Sequence, residues 1–65
     1  MAEAVKWFRK SAEGGNTVDE YNLGMFLARG VGTRRDEAEA KVWLSRAAAH
    51  GVDAAGPALE RLERR

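Results

Sequence analysis

Apolar residues recur along this chain with the spacing of a helix. Over residues 2–13, Ala4, Phe8 and Ala12 fall on one face together with Val5, Trp7 flanks that stripe, and Lys6, Arg9, Lys10 and Glu13 take the other side. Gly14 and Gly15 end this first helix, one of them supplying the left-handed conformation that lets the last carbonyls be capped. Asn16-Thr17 opens a second helix, placed at about residues 17–28, with Asp19 and Glu20 in its first turn, where negative charge suits the positive end of the helix dipole. Tyr21, Leu23, Met25, Phe26, Leu27 and Ala28 cover more than half of its circumference, so it should pack on both flanks. Gly24, costly inside a helix, is explained by close approach of another helix, with Ala12 as a small residue opposite it.

The two glycines and absent period of residues 30–35 mark a loop, and Asp36 is a good N-cap for a third helix over about 37–50. Its buried stripe is Ala40, Trp43, Leu44, Ala47 and Ala48; Glu37 and Lys41 form a favourable i,i+4 pair on its surface, and Gly51 stops it. The fourth helix is the least regular. Either Asp53 caps it and Gly56-Pro57 weakens its first turn, or Pro57 itself begins it. Leu59 and Leu62 are its large apolar residues, and Glu60, Arg61, Glu63, Arg64 and Arg65 make the rest polar, as suits a helix with a wet outer side.

The third helix repeats the first. Trp43 follows Trp7 by 36 residues, and the same offset carries Glu3 to Glu39, Ala12 to Ala48, Gly15 to Gly51 and Leu23 to Leu59. A period of about 20–50 residues marks a stack of units, each leaving an apolar face that a neighbour covers. The expected architecture is all-α: a single domain over 1–65 made of two helix-turn-helix repeats, about 2–30 and 36–65, joined by a loop at 31–35. Trp7, Phe8, Ala12, Leu23, Gly24, Phe26, Trp43, Leu44, Ala48 and Leu59 are the residues expected to pack within and between them.

The run from Glu3 to Asn16, Tyr21-Asn22-Leu23-Gly24, Gly30-x-Gly32, Asp36 and Ala38-Glu39-Ala40 ahead of Trp43 strongly resemble the SEL-one-like repeat, a relative of the tetratricopeptide repeat. The likeness covers residues 2 to about 51 well and the last helix poorly. It implies a short right-handed α-α superhelix of four antiparallel helices acting as an adaptor or scaffold for other proteins, often in a bacterial setting. The chain departs from the family pattern by starting inside a first helix without the usual preceding loop and acidic cap, as a fragment of a longer array would. Thr33 stands where valine is common, and Pro57 and Glu60 stand at the places of Tyr21 and Gly24, so the fourth helix is not expected to pack as the second does.

Charge and chemistry narrow the function. Eleven basic and ten acidic residues give a net charge of +1, too even to draw the chain to nucleic acid or an anionic membrane. With no cysteine there is no disulfide framework and no thiolate metal site, and no apolar run reaches the length of a membrane helix or signal-peptide core; a soluble chain is expected. His50, the one histidine, has no carboxylate or second ligand at a useful sequence spacing and reads as a solvent-facing residue near a helix C-terminus. Asp19-Glu20 and Asp36-Glu37 read as helix-start charges, and Ser11 and Ser45 lack a histidine partner. Gly30-Val31-Gly32-Thr33 lacks the strand and Gly-Lys-Ser/Thr ending of a phosphate loop, and Arg34-Arg35 is a small basic turn.

No catalytic site, cofactor or metal is therefore expected. What remains is a protein or peptide partner, met by Lys6, Arg9 and Lys10 on the first helix with Ser45 and Arg46 in register on the third, if those helices line the concave surface as in related solenoids. A structural, self-assembling role is the second expectation, because two repeats leave both ends of the stack uncovered and fewer than about three seldom suffice. An enzyme of unknown chemistry is the remote third.

Overall fold

The computed structural model describes residues 2–64, and Met1 and Arg65, the latter read above as the polar end of the last helix, lie outside them. Four helices follow one another: α1 (Ala2–Glu13), α2 (Thr17–Arg29), α3 (Glu37–Ala49) and α4 (Ala55–Glu63). The fold is all-α, with no strand among the described residues. Each helix packs on the next in the chain, and α4 also reaches back to touch α2. Between α1 and α3 lies α2, packed on both, which is why apolar residues occupy so much of its circumference.

Local chemistry sets the helix ends. At the end of α1, Gly14 N–H donates to Lys10 O, Gly15 N–H to Ala12 O and Asn16 N–H to Ser11 O; at the end of α3, His50 N–H donates to Arg46 O, Gly51 N–H to Ala48 O and Val52 N–H to Ala47 O. These are the same three bonds moved by 36 residues. Gly15 and Gly51 carry the left-handed step at φ +97° and +95°, which an L side chain resists. Asn16 and Asp36 cap α2 and α3 by accepting the N–H groups of Asp19 and Glu39, each at 3.0 Å. Asp36 N–H donates to Leu27 O at 2.9 Å, which ties the start of α3 to the body of α2.

Asp53 caps nothing. α4 starts at Ala55 behind Ala54, without a side-chain cap, and Pro57 is its third residue. The ring is tolerated there because the first four helical N–H groups have no partner within the helix.

One apolar core runs through all four helices, from Val5 and Ala12 in α1 through Leu23 and Leu27 in α2 and Trp43 and Leu44 in α3 to Ala55 and Leu62 in α4. Phe8 and Phe26 are half-buried beside it, their rings tilted at 50° with centroids 5.1 Å apart. Leu59 is half-buried as well. Gly24 does permit a close approach, but by α3 and not by Ala12: a Cβ on Gly24 would lie 2.8 Å from Leu44 Cγ and 3.3 Å from Ala40 O.

Three expectations about burial need correction. Trp7 does not pack between helices; it is 70% exposed, because no element among the described residues covers its side of α1. Ala48 is exposed although its counterpart Ala12 is buried. The helix due to cover Ala48 carries Gly56 and Pro57 where α2 carries Glu20 and Tyr21, so less side chain reaches over it. Ala4 is exposed too, one position off the stripe that Val5 and Ala12 define.

Candidate interaction surface

Residues whose backbones are held apart by α2 meet through long side chains. Arg9 on α1 reaches Glu39 on α3: its Nη1 donates to Oε2 at 2.6 Å and its Nη2 to Oε1 at 3.5 Å. The same Oε2 accepts the indole N–H of Trp43 at 3.1 Å, so one carboxylate fixes both a cation from α1 and the ring of its own helix. The bond from Arg9, then that from Trp43, holds Glu39 below the usual carboxylate range, and partial burial opposes both. Glu39 in turn raises the Arg9 guanidinium above its ordinary value, again against desolvation. Roughly a third of each side chain remains open to water, so this is a screened pair that orients α1 against α3 and contributes no more than about 1 kcal/mol.

The five side chains expected to form a partner ridge are not equivalent. Lys6, Lys10, Ser45 and Arg46 are exposed, while Arg9 is already committed to Glu39. Arg46 lies over the Trp43 ring at 5.1 Å from its centroid, and Lys10 Nζ lies 6.0 Å from that of Trp7. The two tryptophan-cation pairs thus stand at matching positions 36 residues apart, one at a tryptophan that is 6% exposed and one at a tryptophan that is 70% exposed.

His50 is solvent-facing at the C-terminus of α3, as expected, but it does have a carboxylate beside it, which its sequence spacing did not show. Its Nδ1 lies 2.8 Å from Oε1 of Glu20, whose side chain is 3% exposed, so the cap of α3 is joined to the first turn of α2. Glu20 is more than a helix-start charge: it is the one buried charged residue among those described, and His50 is its partner. The signal lay in the hairpin register. An antiparallel pair folded about the loop at 30–36 brings residue 20 opposite residue 50, although the two are 30 apart in sequence.

Among the described residues, no group of three or more His, Cys, Asp or Glu side chains is placed to hold a metal ion, and no helix is long and apolar enough to cross a membrane. Antiparallel helices joined by recurring turns and pinned by a side-chain bridge define a tandem helical-repeat protein. The chain belongs to the Sel1 repeat family, whose model matches residues 1–16 and 19–52, the longer match spanning the α2–α3 hairpin. Among curated proteins it is similar to the chitin synthase regulator SKT5 of Malassezia restricta, at 43% identity over 60 residues. That match takes in 92% of this chain but 4% of the relative. No solved structure matches it. The relative is fungal, so the bacterial setting suggested by the resemblance gains no support from it.

Proposed function

We propose that this chain is a non-catalytic module that holds a protein partner through the open side of α1. The observation that carries the reading is Trp7, 70% exposed, beside a counterpart that the fold buries. Tryptophan is costly to leave in water and is enriched where interfaces concentrate their energy. Lys6 and Lys10 are exposed beside it, and the Lys10 ammonium lies over its ring at 6.0 Å from the centroid, so the surface offers an apolar anchor within a cationic rim. A partner that fits it presents an apolar pocket edged by carboxylates. Sel1 repeats generally mediate contacts between proteins, and the relative is named as a regulator; both support a binding role in place of a catalytic one. The same exposed indole favours the second reading, in which the anchor seats on another copy of the chain.

Immobilised parent and Trp7→Ala chains exposed to an extract of the source cells test the reading. The parent is expected to retain a protein in stoichiometric amount that Trp7→Ala loses, while the two melt together because the exposed ring adds little to the fold. Equal retention by both removes Trp7 from the interface. Sedimentation at micromolar concentration separates the readings: a monomer that still captures its partner sinks self-assembly.

A further inference from the structure

The contact between α2 and α4 leaves a cleft that Trp7 does not line. Its volume is about 120 Å³, comparable with the apolar cavities of about 150 Å³ that take up a benzene-sized group, so it accommodates one aliphatic or aromatic side chain. Met25 and Ala28 of α2, Leu44 of α3 and Ala58 and Leu62 of α4 form an apolar floor. Arg29 and Arg61 complete the lining, one from the last turn of each flanking helix.

These two guanidiniums are exposed and have no ion-pair partner among the described residues. The carboxylates of the neighbourhood do not neutralise them: Glu60 is taken by Arg64 at 2.6 Å, and no acid lines the cleft. A full positive charge on each outweighs the half charge of the helix C-terminus beneath it. Arginine presents a planar fork that grips carboxylates in pairs of hydrogen bonds, and an apolar socket between two such forks reads charge and shape together.

We propose that this cleft binds a short acidic segment of a partner protein, with one apolar side chain seated between α2 and α4 and a carboxylate on either side engaging Arg29 and Arg61. The site is separate from the Trp7 surface and takes the opposite kind of partner feature: it receives an anchor where Trp7 supplies one. Its existence does not depend on the Trp7 reading, although both make the chain a binder of proteins.

The probe is a synthetic blocked pentapeptide of four glutamates around a central leucine, titrated into the full chain while the Met25 methyl resonance is followed by NMR. Saturable movement of that resonance is expected. Arg29→Gln with Arg61→Gln should weaken binding by at least about tenfold, the loss of a single charge-assisted contact or more, with the melting temperature unchanged because both side chains are exposed. Replacing the central leucine by serine should weaken it by a similar factor. Equal binding by the arginine variant, or by the serine peptide, overturns the proposal, the latter by showing mere charge attraction. Movement of the Met25 resonance on concentrating the protein without peptide also overturns it, in favour of a second copy as occupant. Trp7→Ala should bind the peptide as the parent does, which keeps failure here distinct from failure at α1.

Discussion

α1 and α3 carry the same pattern 36 residues apart and end in the same turn, yet they meet different surroundings. Trp43 is built into the core with its N–H on Glu39, and Trp7 stands in water. Behind them the contrast reverses: α2 has a cap at Asn16 and a glycine at the crossing with α3, while α4 has Val52 and Glu60 at the matching places and no side-chain cap. The lesson is that the repeat specifies backbone turns from within each unit, whereas burial belongs to whatever lies alongside. A helix with a neighbour on each flank becomes core, and one with a free flank becomes surface.

The sharpest way to break this contrast is to truncate the buried member. Trp43→Ala is expected to cost about 3–5 kcal/mol by urea denaturation, from the lost transfer energy and the cavity left behind. A cost below about 1 kcal/mol would mean that Trp43 is no more a core residue than Trp7.

Next in size is the crossing of α2 with α3. Gly24→Ala adds a methyl group 2.8 Å from Cγ of the fully buried Leu44 and 3.3 Å from the backbone oxygen of Ala40, which cannot rotate away. Overpacking costs about 1–3 kcal/mol, and the gain in helix propensity returns up to about 1 kcal/mol, so a net loss of about 1–2 kcal/mol is expected. Glu60→Ala, at the matching exposed place in α4, removes only the pair with Arg64 and should stay within about 0.5 kcal/mol of the parent. Equal effects of the two changes in urea melts would erase the difference between the halves.

The smallest effect concerns the bridge that fixes α1 against α3. Because Glu39 is held below its ordinary value of 4.5, its contribution is complete above that pH and fades as pH falls through the lowered value. Arg9 is raised further above the ordinary guanidinium range, so its own contribution is present throughout the neutral and acid range and is lost only in strong alkali. Glu39→Gln should therefore be less stable than the parent by under about 1 kcal/mol at pH 7, and the gap should close toward pH 3. A gap that is the same at both pH values would show that the pair does not set it.

The helices were legible because their signals are local. Asn16, Asp36, Gly15 and Gly51 act on backbone groups within a few residues of themselves, so their effect could be read from neighbours in the chain. The family was legible for the same reason, since its motif is a chain of such local requirements with apolar residues between them. A 36-residue period has no starting point of its own, however, so it pairs α1 with α2 and α2 with α3 equally well. The candidate surfaces were less legible. Five cations and polar residues on α1 and α3 looked alike in sequence, and contacts 30 residues away separated Arg9 from the rest.

By itself, then, the sequence determined four helices, the turns that end the first and third, and their repeat family, because each follows from residue spacing within a turn or two of helix. Only the tertiary structure decided that Trp7 is surface and Trp43 core, that Gly24 admits Leu44, that His50 serves the buried Glu20, and that Arg29 and Arg61 flank one cleft. Each of those facts depends on which side chains a second element brings within reach, and that distance is set by packing, not by position in the chain.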